Sequence, residues 1–166
     1  EAKRKLKSEP LFCDLFAEYL ERHSKPKKKT WTDDLDNYKK HVEKQFSKKK
    51  LSEINRATVS LLHSNITTKS GPIAANRILA LISSVFGWAI SAGLWENNPA
   101  IGIRRNKEKS RDRFIQSDEL PRFFQALSKA PNEAIRDYVL ISLLTGARRS
   151  NVCSMKWQDI NFERAE

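Results

Sequence analysis

The sequence predicts a mainly α protein: a helical bundle followed by the N-terminal part of a mixed α/β unit. Three observations carry that expectation. Apolar residues recur at helical spacing through most of residues 10–155. A basic stretch without apolar period, residues 103–113, interrupts the pattern. Residues 157–162, Trp-Gln-Asp-Ile-Asn-Phe, then alternate apolar and polar as a half-buried strand does. The expected layout is a helical domain at 8–102, a basic linker at 103–113 and an incomplete second domain at 114–166.

Each element has its own signal. Phe12, Leu15, Phe16, Tyr19 and Leu20 share one helical face, and Pro10 suits a first turn. Ser24, Lys25, Pro26 and the lysines at 27–29 are expected to end that helix. Thr30 with Asp33 resembles a capping box, Asp replacing the usual Glu. It would start a second helix with the stripe Trp31, Leu35, Tyr38, Val42 and Phe46, leaving Lys39, Lys40 and Lys44 off the stripe. Asn55 caps a third helix to about Ile66, with Val59, Leu62 and Ile66 inward. Gly71 and Pro72 open a fourth helix, stopped at Gly93. Residues 73–90 are apolar on most sides, which places that helix at the centre of the bundle. Trp88 and Trp95 are assigned to the core, and Asn97, Asn98 and Pro99 to a turn.

Beyond the linker, Ser117 is expected to cap a helix with Leu120, Phe123, Phe124 and Leu127 inward. Asn132 caps another, with the stripe Ile135, Tyr138, Val139 and Leu143, and Gly146 breaks it. A short helix follows at about 149–155. The strand at 157–162 has no partner in the sequence, so the second unit reads as cut off. The only Met is Met155, so the sequence also reads as part of a longer chain.

Composition narrows the partner. Lys and Arg number 31 against 20 Asp and Glu, a net charge of +11. Residues 1–50 hold 15 basic and 9 acidic side chains, residues 103–115 hold 6 and 2, and residues 116–166 hold 7 and 7. Such clustering favours a polyanion, because each neutralised phosphate releases condensed counterions. The apolar stretch 78–90 is broken by Ser83, Ser84 and Gly87 and reads as too short for a bilayer, so no membrane partner is expected. No apolar secretory segment opens the sequence. Cys13 and Cys153 form neither a disulfide framework nor a zinc site, and His23, His41 and His63 are scattered, so no metal is expected. Tyr19, Tyr38 and Tyr138 fall on apolar stripes and make poor nucleophiles. Asp33, Asp34 and Asp36 are explained by the dipole of the helix they open.

The segment with chemical promise is Thr-Gly-Ala-Arg-Arg-Ser-Asn, residues 145–151. A helix stops at Gly146, and Arg148 and Arg149 stand at the start of the next. Helix starts favour anions, and a guanidinium can grip two phosphate oxygens at once. Residues 143–151, with Met-Lys-Trp-Gln-Asp-Ile at 155–160, resemble the first arginine box of the tyrosine recombinase (phage integrase) family, closest to integrases of prophages and genomic islands. The segments Gly-Pro-Ile-Ala-Ala-Asn-Arg at 71–77 and Ser-Val-Phe-Gly-Trp-Ala-Ile-Ser-Ala-Gly-Leu-Trp-Glu-Asn-Asn-Pro-Ala at 84–100 resemble the family's helical core-binding domain.

That resemblance implies a SAM-like helical core-binding domain that binds DNA, then the start of a mixed α/β catalytic domain. It makes Arg148 the first catalytic arginine, holding nonbridging oxygens of the scissile phosphate. Position 151 is usually Glu in the family and is Asn here, which brings no charge to orient Arg148. The family's Lys on a β-hairpin, its His-x-x-Arg box and its nucleophilic Tyr are expected downstream, and none is found in these residues. The family's tyrosine forms a 3′-phosphotyrosine bond that conserves the energy of the broken linkage, so no cofactor, ATP or metal is needed. The residues at hand are therefore expected to bind DNA without cleaving it. The resemblance further implies a two-domain clamp on double-stranded DNA, a tetramer when the protein is full length, and a cytoplasmic bacterial setting. Lys39, Lys40, Lys44, Asn76 and Arg77 are the expected groove or phosphate contacts, and Arg104, Arg105, Lys107, Lys109, Arg111 and Arg113 the expected phosphate contacts of the linker.

Two alternatives compete. A helix-turn-helix regulator without catalysis would use Arg148, Arg149 and Asn151 to read base edges. A basic RNA-binding or scaffold module would show no preference for duplex DNA.

Overall fold

The computed structural model describes residues 9–110 and 112–160. The chain divides into two compact units, 1–110 and 111–166. The first is a bundle of four helices. Helix α1 (12–27) begins at Phe12, after extended Leu11, and runs as Phe12–Tyr19, a widened π-turn at Leu20–Ser24 and Lys25–Lys27. The helix ends at Lys27, within the segment expected to end it, and passes through Pro26 on the way. Pro26 has no N–H and would crowd the carbonyl four residues back, and the widened turn just before it gives that ring room.

Helix α2 (31–46) is likewise Trp31–Asn37, a π-turn at Tyr38–Val42 and Glu43–Phe46. The capping box expected of Thr30 and Asp33 does not form: the Thr30 side chain caps nothing, and only its carbonyl accepts the Asp33 N–H. Asp34 turns inward instead. Its Oδ2 accepts from Ser24 Oγ (2.7 Å), Lys28 Nζ (2.8 Å) and Tyr19 OH (3.3 Å), tying α1 to α2.

Helix α3 (Arg56–Ser70) is capped by Asn55, whose Oδ1 accepts the Thr58 N–H at 3.0 Å, and it runs one turn past the expected Ile66. Helix α4 (Pro72–Ser91) folds back at Gly71, whose φ of 91° is open to glycine and strained for other residues. It is 20 residues long with mean hydropathy 1.6, enough by length and composition to cross a membrane. The sequence estimate of a shorter span is thus corrected. What places α4 in the bundle is its contact with α3, α1 and α2, which bury Ala75, Ile78, Leu79, Ile82, Val85, Phe86 and Ala89. Burying each large apolar side chain contributes about 1.5–3 kcal/mol. Trp88 and Trp95 are half-buried at the rim of this core.

The second unit contains α5 (Leu120–Ser128), α6 (Glu133–Thr145) and α7 (Arg149–Ser154). Helix α5 starts two residues later than a Ser117 cap requires, because Pro121 must occupy a first-turn position where no N–H is needed. Asn132 caps α6 as expected, its Oδ1 accepting the Ile135 N–H at 3.1 Å. The expected inward stripes are only partly covered: Phe123 and Leu127 are half-buried, while Phe124, Ile135 and Leu143 are exposed. Residues 157–159 form a 3-10 turn and not the first half of a strand, and residues 161 and 162 lie outside the described residues. A lone strand would leave its N–H and C=O groups without partners, whereas the turn lets Ile160 N–H reach Trp157 O at 3.2 Å. Among the described residues there is no β-strand, so the mixed α/β character expected of this unit is not seen. Strand-like pairing among them is confined to an antiparallel bridge between Leu11 and Lys50.

Candidate functional site

Three basic features can be built upward from these elements. The first lies between α2 and α3. The buried stripe Tyr38, Val42 and Phe46 turns the opposite face of α2 to solvent, so Lys39, Lys40 and Lys44 are exposed. Lys40 and Lys44 line a groove with Asn65, Lys69 and Ser70 of α3, while Lys39 stays outside it. Lys69 lies beyond the Ile66 end expected for α3, and Asn65 lies within the expected helix as a polar residue with no neighbouring basic run to mark it. Their signal is polarity: both fall off the apolar stripe of a helix that runs to Ser70. Three ammonium groups and two amides, Asn65 and Gln45, in a groove suit a phosphate chain with an accessible base edge.

The second feature is the start of the linker. Asn76, expected to reach a DNA groove, is 6% exposed and turned inward. Its Nδ2 donates to Asn106 O (2.9 Å) and to Glu108 Oε1 (2.7 Å). Its Oδ1 accepts from Asn106 N–H (2.8 Å) and from His63 Nε2 (3.1 Å). Asn106 Nδ2 in turn donates to Thr67 Oγ1 at 2.8 Å. Two donors and two lone pairs are all an amide offers, so Asn76 has nothing left for a nucleotide. A polar residue beside an arginine looks like a contact residue until its burial is known. Arg77, its neighbour, points to solvent and makes no hydrogen bond or ion pair among the described residues.

Ile103 packs against the bundle core, and Arg56 Nη2 donates to Gly102 O at 2.6 Å. Arg104, Arg105, Lys107 and Lys109 are all exposed. Arg111 lies outside the described residues. Arg113 belongs to the second unit and is engaged: it donates to Glu119 Oε1 at 2.6 Å and to Phe114 O. That guanidinium, with the Gln116 N–H, holds the Glu119 carboxyl below the usual carboxylate range.

The third feature is the turn between α6 and α7. Gly146 ends α6 in the left-handed region at φ 64°, its N–H bonded to Ser142 O at 3.0 Å. Thr145 Oγ1 donates to Ile141 O at 2.7 Å and accepts the Ala147 N–H at 3.2 Å. Arg148 then adopts extended backbone as the residue before α7, and its carbonyl accepts the N–H groups of Asn151 (2.8 Å) and Val152 (3.1 Å). Val152 is buried, which pins the short helix. The Arg148 side chain is exposed and has no hydrogen-bond or ion-pair partner among the described residues. It is thus a fixed backbone carrying a guanidinium free of partners among the described residues. Arg149, Ser150 and Asn151 are exposed beside it. Helix α7 has six residues, less than two turns, which is short for the recognition helix that a helix-turn-helix reader requires.

Comparison with known proteins returns one consistent relationship. Residues 12–106 match the phage integrase central domain, and residues 113–166 match the phage integrase family. The integrase of Enterobacteria phage 434 is 27% identical over 110 residues, covering 66% of this chain and 31% of that protein. The chain spans about a third of the length of the first curated relatives it matches. Among solved structures, a lambda integrase dimer bound to a COC′ core site superposes with a TM-score of 0.80 at 22% identity, over 96% of this chain and 46% of that one. A lambda integrase tetramer bound to a Holliday junction gives 0.79 at 21% identity, over 93% and 44%. These likenesses establish a shared fold.

Proposed function

The chain belongs to the phage integrase family, and from that premise we propose that it is the DNA-holding part of a site-specific tyrosine recombinase. The helical domain and the basic linker grip the backbone of double-stranded DNA, and the second unit is the N-terminal part of a mixed α/β catalytic domain. The observation that carries this reading is Arg148, a guanidinium free of partners among the described residues, on a turn fixed by Gly146 and Val152.

In this reading Arg148 binds two nonbridging oxygens of the scissile phosphate. It stabilises the extra charge that builds up as the phosphorus becomes five-coordinate. A tyrosine of the complete protein attacks that phosphorus, the 5′ oxygen leaves, and the 3′-phosphotyrosine bond keeps the linkage energy for rejoining. Residues 9–160 then supply binding and charge stabilisation without the nucleophile. Lys40, Lys44 and Lys69 face the duplex from the α2–α3 groove, Lys39 of α2 and Arg77 of α4 are assigned as further contacts outside it, and Arg104, Arg105, Lys107 and Lys109 follow the backbone; Arg111 is assigned there by its place in the basic run. The exposed apolar side chains of Ile135, Leu143, Leu144 and Trp157 support a catalytic domain completed by further chain. By analogy with the lambda integrase tetramer, the complete protein assembles as a tetramer on its DNA.

The test is a titration of this chain against duplex DNA at several salt concentrations. With about six phosphates engaged, log affinity falls against log salt with a slope of roughly −5. A salt-insensitive affinity, or a preference for RNA, sinks the reading. A covalent DNA adduct formed by this chain alone overturns the assignment of the nucleophile to other residues. In the complete protein, Arg148→Ala should abolish strand exchange while leaving duplex binding largely intact.

A further inference from the structure

Resting on the DNA-binding reading above, we infer that Asn76 is a positioning residue: with Asn106 it latches the first part of the basic linker onto the bundle, so that Arg104, Arg105 and Lys107 are ordered before DNA arrives. The geometry is that of a side chain acting as a strand partner. The Asn76 carboxamide pairs with both backbone groups of Asn106, N–H to Oδ1 at 2.8 Å and Nδ2 to carbonyl at 2.9 Å. That double pairing also fixes which way the amide faces, and it requires the proton of His63 on Nε2, which donates to the same Oδ1.

Two further ties flank it. Asn106 Nδ2 reaches Thr67 Oγ1, whose own hydroxyl donates to His63 O at 2.8 Å. Four residues upstream, Arg56 holds Gly102 O, and Gly102 stands at φ 77° with the Arg56 guanidinium 3.2 Å from where a Cβ would lie. Between the ties Ile103 packs on the core. Residues 102–106 are thus held by backbone and side chain together, and the cations at 104, 105 and 107 are left facing solvent. An unlatched linker would have to order those residues when it meets the duplex, and the backbone entropy lost then weakens binding.

The experiment has a free-protein arm and a DNA arm, both on this chain. Hydrogen exchange should show the Asn106 amide protected at least about tenfold relative to the Lys109 amide, the scale of one hydrogen bond. Asn76→Leu should erase that protection and speed tryptic cleavage after Arg104, Arg105 and Lys107. Its affinity for duplex DNA should fall about tenfold while the salt slope stays unchanged, because ordering is lost and no phosphate contact is. Arg105→Ala should do the reverse, reducing the slope by about one. Asn106→Ala, outside the helices, removes the Thr67 tie and the longer 3.4 Å contact with His63 Nε2 but keeps the backbone pairing with Asn76, and should show a smaller fall, which guards against an Asn76 variant that fails to fold. An Asn106 amide exchanging as fast as Lys109 overturns the latch. Unchanged affinity in a folded Asn76→Leu, or in Asn106→Ala with the tie gone, overturns its positioning role. If the unmodified chain shows no salt-dependent duplex binding, the DNA reading falls, while the exchange result still decides the latch by itself.

Discussion

The rings of Phe16 and Tyr38 stack face to face, their centroids 3.9 Å apart and their planes 11° from parallel. Phe12 lies against both and meets Phe46 edge-on at 5.8 Å and Phe86 at 5.7 Å. This aromatic cluster joins α1, α2 and α4, and through α2 it sets the level at which Lys40 and Lys44 stand. Aromatic pairs of this kind add about 0.5–1.5 kcal/mol beyond the area they bury.

Tyr38→Ala should lower the unfolding free energy by about 3–5 kcal/mol, as large aromatic truncations in a packed core do. Denaturant titration measures it. Burial pushes the Tyr38 phenol up to about 12. Because the folded value is raised, the stability it contributes is complete below the unfolded value near 10 and is lost as pH rises through 12. Absorbance of tyrosinate should therefore rise together with loss of helix between those limits, and an alkaline plateau of full stability through pH 12 would contradict it.

Asp34→Ala removes the acceptor shared by Ser24, Lys28 and Tyr19, of which Ser24 and Tyr19 are fully buried. Stranding those hydroxyls should cost about 2–3 kcal/mol, and Asp34→Asn, which keeps one oxygen in place, about 1 kcal/mol. Equal thermal shifts for the two variants would show that the inward carboxylate is not what joins the first two helices.

The Arg113–Glu119 pair predicts an acid response in the second unit. Hydrogen bonding to Arg113, then to Gln116 N–H, lowers the Glu119 value. Its contribution is present above the ordinary glutamate range and disappears as pH falls through the lowered value. Carboxyl NMR titration should place the Glu119 midpoint below that range, and Arg113→Ala should raise it.

Gly146→Ala tests the turn beneath Arg148. A methyl group there meets no atom within 4 Å, so space is not the obstacle. The φ of 64° is, and it should cost about 1–2 kcal/mol. In the complete protein the same change should slow strand exchange more than it weakens binding, because it shifts the backbone that carries Arg148.

Much of the helical domain was legible because its cues are local. Asn55, Gly71, Pro72 and Gly93 mark helix ends by their own backbone chemistry, and the buried stripe of α2 follows from spacing alone. The run through Pro26 was not legible, since a π-turn accommodates the ring and no single residue announces one. The inward turn of Asp34 was not legible for another reason: a first-turn acid is satisfied equally well by the helix dipole, and only the approach of α1 makes Ser24 and Tyr19 available. The helical turn at 157–159 replaced an expected strand because alternation specifies a strand only when a partner is there to pair with it.

The sequence by itself determined the helical class, the family and the Gly146–Arg148 turn, since periodicity, charge and a short motif are properties of neighbours along the chain. Only the tertiary structure decided what Asn76 does. Its surroundings come from residues 13 positions before it and 30 after it, and whether an amide faces solvent or a backbone pair depends on which distant segment the fold lays across it.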